Sequence, residues 1–112
     1  IIFLYYINSN MTNSVKDNII KNLHTVYDPE LPVDIYELGL IYDLKVGSKG
    51  LVDITMTLTS PNCPVAEILP EQVKKAAKKA KGVKDVNLKL VFEPPWNPDM
   101  MSEAAKVELN MG

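Results

Sequence analysis

The chain is predicted to fold as an α+β two-layer sandwich, in the order αββαβ plus a short C-terminal helix, with a small mixed sheet and helices packed on one face. Three observations carry that expectation. Residues 40–46 and 51–59 alternate apolar and polar around Gly47-Ser48-Lys49-Gly50, which reads as an antiparallel hairpin. Residues 84–92 alternate again, but a run of helical period separates them from the hairpin, so the third strand arrives by a helical crossover. A further helical run precedes the hairpin, and a two-layer α+β core follows from that order.

Helix 1 is expected over residues 14–27. Ser14-Val15-Lys16-Asp17 resembles a capping box, with Ser14 as N-cap. Val15, Ile19, Leu23 and Val26 or Tyr27 recur at helical spacing, and Asp28-Pro29 is the expected stop, since a residue before proline avoids the α region. Asp28 to Gly39 reads as an ordered loop containing Pro29 and Pro32. In the first strand Leu40, Tyr42, Leu44 and Val46 share a face. In the second, Val52, Ile54, Met56 and Leu58 face one way and Asp53, Thr55, Thr57 and Thr59 the other. Helix 2 is expected over 65–81, marked by Val65, Leu69, Val73, Ala76, Ala77 and Ala80, with Pro64 at the first helical position and Gly82 as C-cap. Pro70 conflicts with it, because a mid-helix proline kinks or splits the element. Val86, Leu88, Leu90 and Phe92 mark the third strand, which Pro94-Pro95 ends. Asn97-Pro98 opens a short helix over 98–109.

Composition narrows the function classes. The 112 residues suffice for one domain. Net charge is −2 and all 12 basic residues are lysine, so arginine's bidentate recognition of phosphates and base edges is missing. Lys74, Lys75, Lys78, Lys79 and Lys81 form a basic face on helix 2 that reads as solvated surface, and no nucleic-acid partner is expected. One cysteine excludes an internal disulfide, a CxxC pair and a cysteine-rich zinc site, while one histidine excludes His-His metal motifs. The apolar run Ile1 to Ile7 is far shorter than the ~20 residues of a membrane span. Residues 1–10 are expected to be an extension outside the domain, with Met11 as natural start and 11–112 as the single domain. A short extra strand is the other reading of that run. A lone thiol and no targeting signal suit the cytoplasm.

Cys63 is the most informative residue. It lies between a strand end and a helix start, where unpaired N–H groups and the helix dipole favour a thiolate, a nucleophile and soft metal ligand. The opposing reading is a small buried hydrophobe. Asp28 and Glu30 flank Pro29 and are either a carboxylate pair for acid–base or metal work, or ordinary turn residues. His24 lies beside the apolar stripe of helix 1 and reads as a boundary residue.

Three segments together resemble a known family: Asp28-Pro29-Glu30-Leu31-Pro32-Val33-Asp34-Ile35-Tyr36-Glu37-Leu38-Gly39-Leu40-Ile41-Tyr42, then Met56-Thr57-Leu58-Thr59-Ser60-Pro61-Asn62-Cys63-Pro64, then Pro94-Pro95-Trp96-Asn97-Pro98-Asp99-Met100-Met101-Ser102-Glu103. They are similar to the SufT/PaaD-like iron–sulfur cluster assembly domain family, from about residue 14 onward. The resemblance implies an α+β sandwich, a role in maturing iron–sulfur proteins, and a cleft made of Asp28, Glu30, Leu31, Thr59, Ser60 and Cys63. The additional C-terminal cysteines of PaaD proper are missing here, which favours a general SufT-like role.

On that resemblance the chain is expected to be a non-catalytic accessory factor. Cys63, with Glu30 and Asp28, would be a transient ligand for iron or an iron–sulfur cluster, or a client contact. Expected partners are iron–sulfur carrier and client proteins and a second copy of the chain, because a cluster needs about four ligands and one chain offers one thiol. Two other readings stand beside it: a thiol enzyme with Cys63 as nucleophile, which needs a base beside the sulfur, and an inert interaction domain with a sealed cysteine.

Overall fold

A computed structural model describes residues 15–59 and 63–109, with the side chains of residues 63–65 outside the description. The described elements are α1 (15–23), β1 (Ile41–Val46), β2 (Leu51–Met56), α2 (Cys63–Lys78), β3 (Asp85–Leu90), a 3₁₀ turn (Pro98–Met100) and α3 (Glu103–Glu108). The sheet order is β1-β2-β3, with β1 antiparallel and β3 parallel to β2. The expected α+β order, the hairpin and the helical crossover are therefore present. Residues 1–10 and the Ser14 cap lie outside the described residues.

β2 shows why the sheet has one buried face. Val52, Ile54 and Met56 are buried while Leu51 and Asp53 are exposed, so period-two alternation becomes an inner and an outer surface. Helix-borne Ile19, Leu23, Leu69, Val73 and Ala77 cover the inner face and complete the core with Val86 of β3. The outer face stays polar, with Asn87 donating to Asp53 across the β2–β3 pair.

Several boundaries differ from expectation, each for a local reason. α1 ends at Leu23 rather than 27. Thr25 turns its N–H and hydroxyl back onto the Asn22 carbonyl, and the chain then runs extended, with Tyr27 bridging Asp34 and Ile35 N–H donating to the Val26 carbonyl. Val26 is thus buried through a non-local bridge rather than a fourth helical turn. In β1 the register shifts between Ile41 and Asp43, so Ile41, not Tyr42, joins Leu44 and Val46 opposite the buried positions of β2. The extra residue sends the Tyr42 hydroxyl to the Pro94 carbonyl, 2.7 Å away.

β2 pairing ends at Met56 rather than Thr59, and β3 ends at Leu90, leaving Phe92 exposed. α2 begins at Cys63 and runs unbroken past Pro70, because buried Leu69 and Val73 anchor it on either side. It stops at Lys78, and a turn follows to Gly82, whose φ of 95° takes the left-handed conformation expected of a cap residue. The C-terminal helix is split. Asn97 caps the 3₁₀ turn through Asp99 N–H, and Ser102 caps α3 through Ala105 N–H.

The α2 C-terminus also meets β3 electrostatically. Val86 N–H, and after it the Lys78 ammonium, hold the Asp85 carboxyl below the usual carboxylate range. A lowered folded-state pKa contributes stability above the ordinary carboxylate value of ~3.9 and loses it as pH falls through the folded value. Asp85→Asn is therefore expected to sit below wild type in Tm at neutral pH and to converge with it in acid. Parallel Tm–pH curves would show that the pairing is not coupled to stability.

Candidate functional site

Connectivity brings the expected site segments to one end of the sheet. The loop 28–40 feeds the start of β1, which pairs with the end of β2, and Thr57 N–H donates to the Leu40 carbonyl across that junction. The chain leaving β2 reaches α2 at Cys63. α1 runs antiparallel to α2: a Cβ on Gly82 would meet Val15, and Asn22 donates to the Ala76 carbonyl at 3.0 Å. The end of α1 therefore lies beside the last turns of α2.

Asp28 is the best-defined member. It is 5% exposed. Its Oδ1 accepts from Glu30 N–H at 2.7 Å and Leu31 N–H at 3.0 Å, so the short side chain folds the Pro29 turn over itself. Its Oδ2 is buried with no hydrogen-bond partner among the described residues. Nearly all buried acceptors in proteins are paired, so an orphaned carboxyl oxygen demands a reason. Glu30 is exposed, Leu31 is half-buried and packs on the core, and Thr59 is half-buried. Cys63 opens α2. Its thiol is outside the described side chains, and Ser60 is outside the described residues.

Two features were not read from the sequence. Strand alternation predicts Thr57 on the outer face, but it is 1% exposed, and its Oγ1 has no partner among the described residues. Alternation fails there because strand pairing has ended and Thr57 and Leu58 are buried in succession. The second is a cluster of His24, Asp34 and Glu37, whose ligand-type atoms all lie within 4.8 Å of one another. His24 Nδ1 is 3.0 Å from Asp34 Oδ2 and 3.8 Å from Glu37 Oε1. His24 and Asp34 are ten positions apart on different elements, which no helical or strand period brings out.

A concavity of about 670 Å³ is an open trough along α2 lined by Glu67, Glu71 and three lysines. It contains neither orphaned oxygen. Among the described residues no helix is long and apolar enough to cross a membrane.

Comparison with known proteins bears on this arrangement. Residues 16–90 match the family described as iron-sulfur cluster assembly protein. A "Fe-S protein maturation auxiliary factor" of Porphyromonas gingivalis is 54% identical over 84% of this chain and 90% of its own length. The Bacillus subtilis factor YitW, with the same description, is 48% identical over 90% of this chain and 99% of its own. A crystal structure of a domain of unknown function from Bacillus anthracis superposes with a TM-score of 0.82 at 35% identity, over 93% of this chain and 99% of that one.

Proposed function

This chain belongs to the iron–sulfur cluster assembly protein family, and from that premise we propose that it is an accessory factor in the maturation of iron–sulfur proteins, with iron or a cluster as passing cargo. Support comes from relatives described as maturation auxiliary factors, each similar to this chain over most of its length. A "iron-sulfur cluster carrier protein" of Synechocystis, 38% identical over 77% of this chain, carries the resemblance in a quarter of its length. For this chain the proposed setting is the reducing cytoplasm, where a lone thiol stays available. We take residues 11–112 as the domain.

The observation that carries the site is the orphaned Asp28 Oδ2 beneath a turn that also presents Glu30. A buried acceptor without a donor suits a cation, and two carboxylates near a thiolate become co-ligands once iron brings positive charge. Cys63 is the soft ligand, favoured as thiolate by its place at the start of α2. On the family resemblance, Leu31 is the apolar member of the proposed cleft, and Thr59 and Ser60 are its hydroxyl-bearing members. One thiol per chain falls short of the ~4 ligands of a cluster. The cargo is therefore shared with a second copy, or held only during hand-over between a carrier and a client.

Nucleophilic catalysis would need a base at the sulfur. The relatives are described as auxiliary factors, which makes a non-catalytic role the better reading. The test is anaerobic reconstitution with ferrous iron and sulfide, read by visible absorbance. Wild type is expected to gain cluster absorption, and Cys63→Ser to lose nearly all of it with an unchanged far-UV spectrum. Equal cluster absorbance in both would remove Cys63 from the site, and no absorbance in either would leave a metal-free adaptor.

A further inference from the structure

We propose that His24, Asp34 and Glu37 form a separate binding site for one divalent first-row transition ion, Zn²⁺ or Fe²⁺, independent of Cys63 and additional to the assembly role. The donors are one imidazole nitrogen and two carboxylates. That mixture suits zinc, manganese and ferrous iron; calcium and magnesium prefer shells of oxygen alone. Around a tetrahedral ion with bonds of ~2.0–2.2 Å, ligand atoms stand ~3.4 Å apart. The observed separations of 3.0 Å and 3.8 Å from His24 Nδ1 bracket that value, and all three ligand atoms lie within 4.8 Å of one another, so the carboxylates close by at most ~1.4 Å around the ion.

The surroundings are those of a prepared site. Ligating groups are normally oriented by outer hydrogen bonds. Asp34 is 7% exposed, and its Oδ1 accepts from Glu37 N–H at 3.0 Å. Ser102 donates its hydroxyl to Glu37 Oε2, leaving Oε1 toward the imidazole. The edge of Tyr36 rests against the His24 ring, with centroids 4.9 Å apart. A cavity of about 90 Å³ adjoins both carboxylates and is also lined by Glu108 of α3. At ~30 Å³ per water it has room for two or three, so an ion held by three protein groups can keep water in its open position. The ion takes Nδ1 of the neutral ring, so the ring's one remaining proton sits on the other nitrogen.

Such an ion would tie together the end of α1, the 28–40 loop and the start of α3. A hydrogen bond between His24 and Asp34 alone would do so more weakly, and the two cases separate by experiment. Chelator-stripped Cys63→Ser protein is titrated with Zn²⁺ by calorimetry, then with Co²⁺ by absorption. The expected result is one ion per chain, visible cobalt bands without a thiolate charge-transfer band, and an upward Tm shift of ~5 °C or more at saturating zinc. His24→Gln in the same background is expected to lose at least ~10-fold in affinity and the Tm shift. Its metal-free Tm serves as the check on folding, and Glu37→Gln is the second variant if His24→Gln folds poorly. Binding unaltered by either substitution, or none tighter than ~100 μM in the Cys63→Ser parent, overturns the site. Because Cys63 is absent from the titrated protein, failure here leaves the assembly reading untouched, and failure of iron–sulfide reconstitution leaves this site untouched.

Discussion

Gly39→Ala is expected to destabilise the domain by about 3 kcal/mol or more, lowering Tm by at least ~10 °C. Gly39 has φ of 79°, in the left-handed region where an L side chain costs ~1–2 kcal/mol. Space is the larger problem. A Cβ there would run into the Met100 carbonyl, 2.9 Å from its carbon and closer still to its oxygen. That contact is backbone on backbone, so no rotamer relieves it. The neighbours cannot yield cheaply either: Leu38 and Leu40 are fully buried, and the Leu38 carbonyl accepts from Trp96 Nε1 at 2.7 Å. Pushing Met100 away loosens that bond and the Ser102 N–H to Glu37 carbonyl bond beside it. Thermal unfolding followed by circular dichroism checks this. A loss below ~3 °C would mean that the C-terminal segment is not held against this turn.

Gly39 also shows what was legible in the sequence. A glycine closing a proline-containing loop before an alternating run marks a turn, and the loop was read as ordered. The partner that makes this glycine indispensable is 61 positions away and has no local signature. The same division holds elsewhere. β2 and the apolar side of α2 follow from period alone, because each buries one face against one layer. The end of α1 does not, since Val26 fits a helical stripe yet is buried by pairing with the loop. Tyr42 does not, because a one-residue register shift exchanges it with Ile41.

The candidate site divides likewise. Cys63 and the Asp28–Glu30 pair were picked out by position and by resemblance, while Thr57 and the His24 cluster exist only through tertiary contacts. The sequence leaves Asp28 as either a turn residue or a ligand, and its two oxygens differ in their contacts. One oxygen makes the turn, and the other has no structural employment among the described residues.

That division makes Asp28→Asn the sharpest test of function against stability. Asparagine keeps an oxygen for Glu30 N–H and Leu31 N–H, so the turn survives. It also removes an ionisable group from a nearly sealed position, where an unpaired charge is costly. The expected Tm is equal to or above that of wild type. Asp28→Ala deletes the turn acceptor as well and is expected to lose ~1–2 kcal/mol. Both are expected to fall severalfold in iron–sulfide reconstitution, because both lack the oxygen assigned to the cargo. A side chain retained for its ligand rather than for the fold behaves in this way, since functional sites keep groups that stability alone would discard. Tm and reconstitution yield, measured on the same three preparations, give the answer. Full yield in Asp28→Asn, or a Tm for it as low as that of Asp28→Ala, would return Asp28 to a purely structural role and leave Cys63 without its buried carboxylate partner.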